Sequence, residues 1–172
     1  MGLRGSGKSA LGRRLAQERS LPFIDLDDRT RARLGFATIS EAFEQRGEPA
    51  FRAAEVAALR AALAEPPGVI ALGGGTPTAP GAQQLLREAV GAGARLIYLR
   101  ASAATLRARL IAEGRPSPNR PSLTGVGPLA EIEEVLGARD SQYRALATAI
   151  VQTDGLDEDG ALTALKQTLE NS

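Results

Sequence analysis

Gly2-Leu3-Arg4-Gly5-Ser6-Gly7-Lys8-Ser9 fills every fixed position of the pattern G-x-x-x-x-G-K-[ST], and its reading decides the fold. The residue types suit a nucleoside triphosphate. Glycines let the backbone curl with several N–H groups turned inward, Lys8 reaches the β- and γ-phosphates, and Ser9 offers a hydroxyl to Mg²⁺. The segment Ala10-Leu11-Gly12-Arg13-Arg14-Leu15-Ala16 behind it has helix periodicity, so the positive end of a helix faces the phosphates. A flexible glycine turn is the bland alternative, and a match this complete with a helix directly after it outweighs that reading. Gly5, Ser6, Gly7, Lys8, Ser9 and Ala10 are therefore the expected ATP-binding residues.

The loop opens at residue 2, so the buried apolar strand that delivers a chain into such a loop is absent from the sequence; an N-terminus cut short is the expected cause. Downstream, four short apolar runs read as buried parallel strands: Leu21-Pro22-Phe23-Ile24, Gly68-Val69-Ile70-Ala71-Leu72, Leu96-Ile97-Tyr98-Leu99 and Ala149-Ile150-Val151. Helical pattern separates each from the next, which predicts an α/β layered sheet. Thr38-Ile39-Ser40-Glu41 has the form of a capping box, and Pro49 suits the first position of a helix through Phe51, Ala54, Ala58, Leu59 and Leu63. Ser102 and Asp157 are candidate caps for later helices, and 129–146 reads as helical with Ile132, Val135 and Leu136 toward the core. Residues 114–127 are rich in Pro, Gly and Ser and read as a mobile loop carrying Arg115 and Arg120.

Composition narrows the chemistry. A chain of 172 residues, 43% hydrophobic and 24% charged, supports one globular domain with a core and is too short for two ordinary ones. A net charge of +1, with two Tyr, four Phe and no Trp, argues against a dedicated nucleic-acid binder. The chain has no Cys and no His, which excludes disulfides, thiolate sites and imidazole catalysis. A catalyst built from it uses carboxylates, Lys, Arg, backbone amides and a hard, oxygen-liking cation. No apolar run approaches a membrane span and no signal-peptide pattern opens the chain, so the expected location is cytoplasmic.

Asp25-Leu26-Asp27-Asp28 closes the first visible strand, at the edge where open α/β sheets place their ligands. Residues two apart on an extended strand point the same way, so Asp25 and Asp27 are expected to converge. One carboxylate holds Mg²⁺ through water while the other accepts hydrogen bonds from a substrate hydroxyl; the bland alternative is that Asp27 or Asp28 caps the next helix. Arg52 and Arg139 offer planar forks for the carboxylate of a small anionic substrate, and Glu55, three residues after Arg52, is placed to hold its guanidinium. Taken singly, each arginine reads as a solvated helix charge. Gly73-Gly74-Gly75 directly follows Leu72, and three consecutive glycines exceed what a turn requires, which suggests a ligand resting against main chain. No acidic residue ends that strand, so Asp25 substitutes for the usual second magnesium carboxylate. Arg120 can swing over transferring phosphoryl oxygens; Arg115 can do likewise or pack on adenine, with a solvated charge as its plainer reading.

Together these residues make the chain similar to the shikimate kinase family, in the nucleoside monophosphate kinase-like group of phosphate-loop folds, over nearly its whole length. The matching motifs are Gly2 to Ser9, Asp25-Leu26-Asp27, Phe51-Arg52-x-x-Glu55, Gly73-Gly74-Gly75, Arg120-Pro121 and Arg139-x-x-x-Tyr143. Arg31, Ala10 and Ser122 depart from residues common in the family. The resemblance implies a three-layer parallel sheet with helices on both faces, strand order 2-3-1-4-5 with strand 1 truncated, a substrate-binding region at about 27–55 and a lid at about 113–126. It implies transfer of the ATP γ-phosphoryl group to the 3-hydroxyl of shikimate, in aromatic amino acid biosynthesis. Lys8, Asp27 and Arg120 are then catalytic, and Arg120 also binds ATP. Asp27, Arg52, Gly73, Gly74, Gly75 and Arg139 bind substrate, while Ser9 and Asp25 hold Mg²⁺. A monomer is expected, and Thr153-Asp154-Gly155 is the expected loop near the base. A gluconate kinase and a ligand-sensing regulatory domain are the rival readings.

Overall fold

The computed structural model describes residues 1–114 and 131–171. Its four strands fall on the four apolar runs, with their ends moved by a residue or two: β1 Phe23–Asp25, β2 Val69–Ala71, β3 Ile97–Arg100 and β4 Ala149–Gln152. β1 starts after Pro22, which has no N–H to give a ladder, although its carbonyl still accepts from Val69 N at 2.9 Å. β1 runs parallel to β2 with Ile24 opposite Ile70, and β3 parallel to β4 with Leu99 opposite Val151.

In the expected order 2-3-1-4-5, these pairs are 2-3 and 4-5. They form two two-stranded sheets rather than one continuous sheet. The reason is local: only Met1 runs beside β3 before the chain turns into the phosphate loop. The Met1 amine donates to Ile97 O at 2.6 Å and its carbonyl accepts from Leu99 N at 2.9 Å, one rung of parallel pairing. An apolar groove of about 610 Å³ lies between β2 and β3, lined by Leu15, Leu59, Leu86 and Ile97 among others.

Strand alternation sends side chains to two helix layers. Leu99 and Val151 pack against Leu11 and Leu15 of α1 (Lys8–Glu18) and Leu162 and Leu165 of α7 (Glu158–Glu170). Ile24 and Tyr98 face the other way. There they meet α3 (Ile39–Leu63), α4 (Ala82–Gly91) and α6 (Ile132–Leu146), which contribute Leu59, Leu86 and Tyr143. α2 (Leu26–Leu34) links β1 to α3, and α5 (Ala103–Ala112) adds Leu106 and Leu110 to the larger core. Ser102 and Asp157 cap α5 and α7, accepting from Thr105 N and Gly160 N. The loop read over 114–127 lies outside the described residues beyond Gly114.

α3 is two helical pieces joined at Gly47, whose φ of 76° and ψ of 165° are non-helical. Pro49 then stands at the start of the second piece, where its missing N–H costs nothing. The first piece starts at the capping box: Glu41 N donates to Thr38 Oγ1 at 3.1 Å and Thr38 N to Glu41 Oε2 at 3.3 Å. Replacing Thr38 by Ala removes one of these bonds, and the expected loss is about 1 kcal/mol of unfolding free energy, read as a lower urea midpoint at unchanged slope.

Candidate active site

The phosphate loop takes its shape from glycines that a side chain would strain. Gly5 and Gly7 have φ of 79° and 86°, in the left-handed region, and Gly7 is the residue from which α1 springs. Lys8 Nζ folds back and donates to Leu3 O at 2.8 Å, stitching the loop across its mouth. Ser9 Oγ donates to Asp25 Oδ2 at 2.6 Å. The other Asp25 oxygen accepts from Asp27 N at 3.1 Å, so Asp25 is the N-cap of α2.

Two sequence expectations change here. The strand ends at Asp25 and a helix starts at Leu26, so Asp27 stands in the first helical turn and strand alternation does not relate it to Asp25. The capping role expected for Asp27 or Asp28 belongs to Asp25. Both carboxylates still face the functional region, Asp25 toward the loop hydroxyl and Asp27 toward the glycine run.

The three glycines after β2 make room for the protein's own charged groups. A methyl at Gly73 would strike Asp27 Oδ1 and stand 2.9 Å from Thr76 Oγ1, and one at Gly75 would strike the Arg52 guanidinium. Gly74 contributes its carbonyl: Arg139 Nη1 donates to it at 3.2 Å, and the Tyr143 hydroxyl donates to the same oxygen. The main chain expected to lie against a ligand is thus approached by four side chains of the site itself, Asp27, Arg52, Arg139 and Tyr143.

Arg52 is held from several sides. Its Nη1 donates to Glu55 Oε2 at 2.6 Å, as its spacing predicts, and Nε and Nη2 reach Glu48 Oε1. The guanidinium also lies 5.6 Å from the Phe43 ring centre and 5.7 Å from that of Phe51. Glu55 is 2% exposed, and its second oxygen accepts from Thr76 Oγ1 at 3.0 Å.

Arg52, Arg139, Asp27, Gly74 and Gly75 line one cavity of about 100 Å³ together with Leu3 and Arg4 of the phosphate loop. The groove between the sheets is larger, but its lining is mainly apolar and carries no such convergence of charge. Sequence reasoning missed Arg4, Phe43 and Glu131 as cavity residues. Arg4 occupies a position the motif leaves free, and Glu131 precedes α6 with no motif of its own. Burial lowers the pKa of Arg4 from its ordinary value, opposed by the carboxylates of Glu113 and Glu131. Arg115 and Arg120 lie outside the described residues, as does most of the lid read at 113–126. Thr153-Asp154-Gly155 follows β4 as a turn. Bonds from Thr105 and Ser102 hold the Asp154 carboxyl below its usual range, and Arg109 donates to Thr153 Oγ1 at 3.0 Å.

Among the described residues no group of three or more His, Cys, Asp or Glu side chains is gathered for a metal. Ser9 and Asp25 nevertheless supply hard oxygen donors in contact with each other at the loop. Two protein oxygens completed by water and phosphate match the way Mg²⁺ binds in nucleotide sites.

A sequence model of the shikimate kinase family matches residues 4–170. The shikimate kinase of Rhodococcus jostii is 39% identical over 155 residues, covering 88% of this chain and 84% of the relative. That of Rhodopirellula baltica is 37% identical over 175 residues, covering 99% and 89%. Among solved structures, shikimate kinase from Acinetobacter baumannii in complex with shikimate superposes with a TM-score of 0.84 at 29% identity, over 99% of this chain and 91% of that one. Shikimate kinase from Bacteroides thetaiotaomicron gives 0.83 at 28% identity, over 99% and 96%.

The Glu55 to Arg52 pair gives the site a stability signature. Truncating Glu55 to Ala leaves Arg52, 13% exposed, without its closest partner and Thr76 without an acceptor. The expected cost is about 3 kcal/mol in chemical denaturation, with Glu55→Gln costing less because the amide oxygen still accepts from Thr76.

Proposed function

The chain belongs to the shikimate kinase family, and from that membership we propose that the cavity beside the phosphate loop seats shikimate next to the ATP γ-phosphate. The enzyme is an ATP-dependent phosphotransferase that acts on a shikimate hydroxyl. The acceptor is the ring 3-hydroxyl, and the setting is aromatic amino acid biosynthesis. The observation that carries this reading is that Arg52, Arg139 and Asp27 line the same cavity as the phosphate loop. A cyclic carboxylate is bound at its anionic end by the two guanidiniums, leaving its hydroxyls toward Asp27 and the loop. The relatives above are kinases of shikimate, which favours this acid over the linear acid of a gluconate kinase.

Asp27 orients the acceptor hydroxyl and takes its proton as the oxygen bonds to phosphorus. The bond from that phosphorus to the bridging oxygen breaks, and ADP leaves with the electron pair. Lys8 exchanges its bond to Leu3 O for the phosphoryl oxygens and stabilises their charge, with Arg120 supplying a second cation. Ser9 and Asp25 hold Mg²⁺, which when bound neutralises phosphate charge. Residues 27–55 form the substrate-binding region and 113–126 the lid of a single domain over 1–172.

The protein works as a cytoplasmic monomer. Among the described residues the large hydrophobics that are exposed are three, Leu21, Ile111 and Leu156, and no helix is long and apolar enough to cross a membrane.

A coupled ADP-release assay with shikimate and gluconate tests the substrate, with turnover expected on shikimate alone. In that assay Arg52→Ala raises the shikimate KM by about a hundredfold, the scale of losing a charge-assisted fork, and leaves the ATP KM near wild type. An unchanged shikimate KM removes Arg52 from the site. Lys8→Ala lowers kcat by about 10²- to 10³-fold, the scale for losing one preorganised electrostatic group.

A further inference from the structure

We propose that Asp140 is a positioning residue: it clamps α6 to β3 and so fixes where Arg139 stands. This rests on the shikimate kinase reading of the cavity. Asp140 Oδ1 accepts from the Tyr98 hydroxyl and from Arg100 Nε, both at 2.8 Å and both on β3, while Oδ2 accepts from Arg144 Nε at 2.7 Å. One carboxylate thus joins the helix to the strand through two donors of β3, and is held by a third on its own helix.

The neighbouring side of the same helix turn carries the site. Arg139 and Tyr143, four residues apart, both reach Gly74 O, while Asp140 turns toward β3. The two sets are coupled through the rings: Tyr98 packs edge-on against Tyr143 with centroids 5.1 Å apart. Tyr98 is 1% exposed, so its hydroxyl needs an acceptor inside the protein, and Asp140 is that acceptor. The arginine pairs are partly exposed, at 28% and 46%, and weaker on their own. Burial opposes ionisation of Asp140, yet the bonds from Arg100, Arg144 and Tyr98 outweigh it and hold its carboxyl down at about 2. The clamp is therefore charged at every working pH.

A loosened clamp lets α6 drift relative to the glycine run. Arg139 reaches its ligand through a long side chain from that helix, so the carboxylate end of the substrate is affected first and the phosphate loop, which leads into α1, is affected least. In Asp140→Asn an amide nitrogen replaces one acceptor among donors. The expected result is a shikimate KM raised about tenfold, within the range a 1 Å misplacement produces, with kcat and the ATP KM within about twofold of wild type. Tyr98→Phe shifts the shikimate KM the same way by less. A general loss of packing would instead raise both KM values and lower kcat together.

A spectroscopic readout is built in, because the chain has two tyrosines and no tryptophan and both tyrosines belong to this contact. A phenol bonded to a carboxylate loses emission to excited-state proton transfer, so tyrosine emission rises in Asp140→Asn. Titrating shikimate into each protein and following that emission gives a midpoint displaced by the same factor as the KM. If Asp140→Asn does not fold, Arg100→Gln breaks the same strand-to-helix bond and is read by the same split. Equal shikimate KM values in an active wild type and folded variant overturn the positioning role alone, as do both KM values rising in step. A wild type that turns over no shikimate overturns the kinase reading and this inference with it.

Discussion

Three consecutive residues without side chains, Gly73 to Gly75, are the constraint on which the site depends. Each neighbour of that run brings a group that a Cβ would displace: Asp27 from α2 at Gly73, and Arg52 from α3 at Gly75. Gly74 itself is contacted through its carbonyl by Arg139 and Tyr143 of α6. Helices from three parts of the chain thus deliver charge to a single bare edge of β2. Glycine ordinarily weakens a structure through its unfolded-state entropy. Here that cost secures an approach no other residue permits.

The two arginines are held in different ways, and the difference is chemical. Arg52 is tied to two carboxylates and lies against two aromatic rings, so its position is set before any ligand arrives. Arg139 reaches a neutral carbonyl, a weaker partner that a ligand carboxylate can replace at smaller cost. The bend at Gly47 makes the first arrangement possible: it lets one piece of α3 bring Phe43 and the other bring Phe51, Arg52 and Glu55 to the same place. A straight helix through Gly47 would carry the two pieces apart.

Much of this was legible in the sequence because it is local. The phosphate loop, the four strands, the capping box at Thr38 and the Arg52 to Glu55 spacing all depend on residues close together in the chain, where periodicity and rotamer direction fix neighbours. What the sequence misjudged was the step from strand to helix at Asp25, since a single residue decides whether Asp27 follows a twofold or a 3.6-fold repeat. What it missed was set by long-range packing: Arg4 and Glu131 meet the cavity from segments with no common motif, and Asp140 finds Tyr98 across 42 residues. The split into two sheets, by contrast, follows from the truncated first strand that the sequence predicted, because only Met1 pairs with β3 where that strand would run.

A chain without histidine needs a reaction that does not depend on imidazole, and phosphoryl transfer meets that condition. In a loose transition state the bond to the leaving oxygen is largely broken before the acceptor oxygen bonds fully, so the acceptor proton becomes acidic late. A carboxylate is basic enough to take a proton at that stage, although it would be a poor base for a free alcohol. The demand on the protein then shifts from proton affinity to placement and charge. Two anionic ligands must lie side by side, and their mutual repulsion has to be offset by fixed cations. In the proposed reading, Lys8 at the loop and Arg52 and Arg139 in the cavity supply those cations, while Asp27 is the negative group assigned to the reacting end. On that reading, cations placed around the Asp27 carboxylate perform the task that other sites assign to a titrating base.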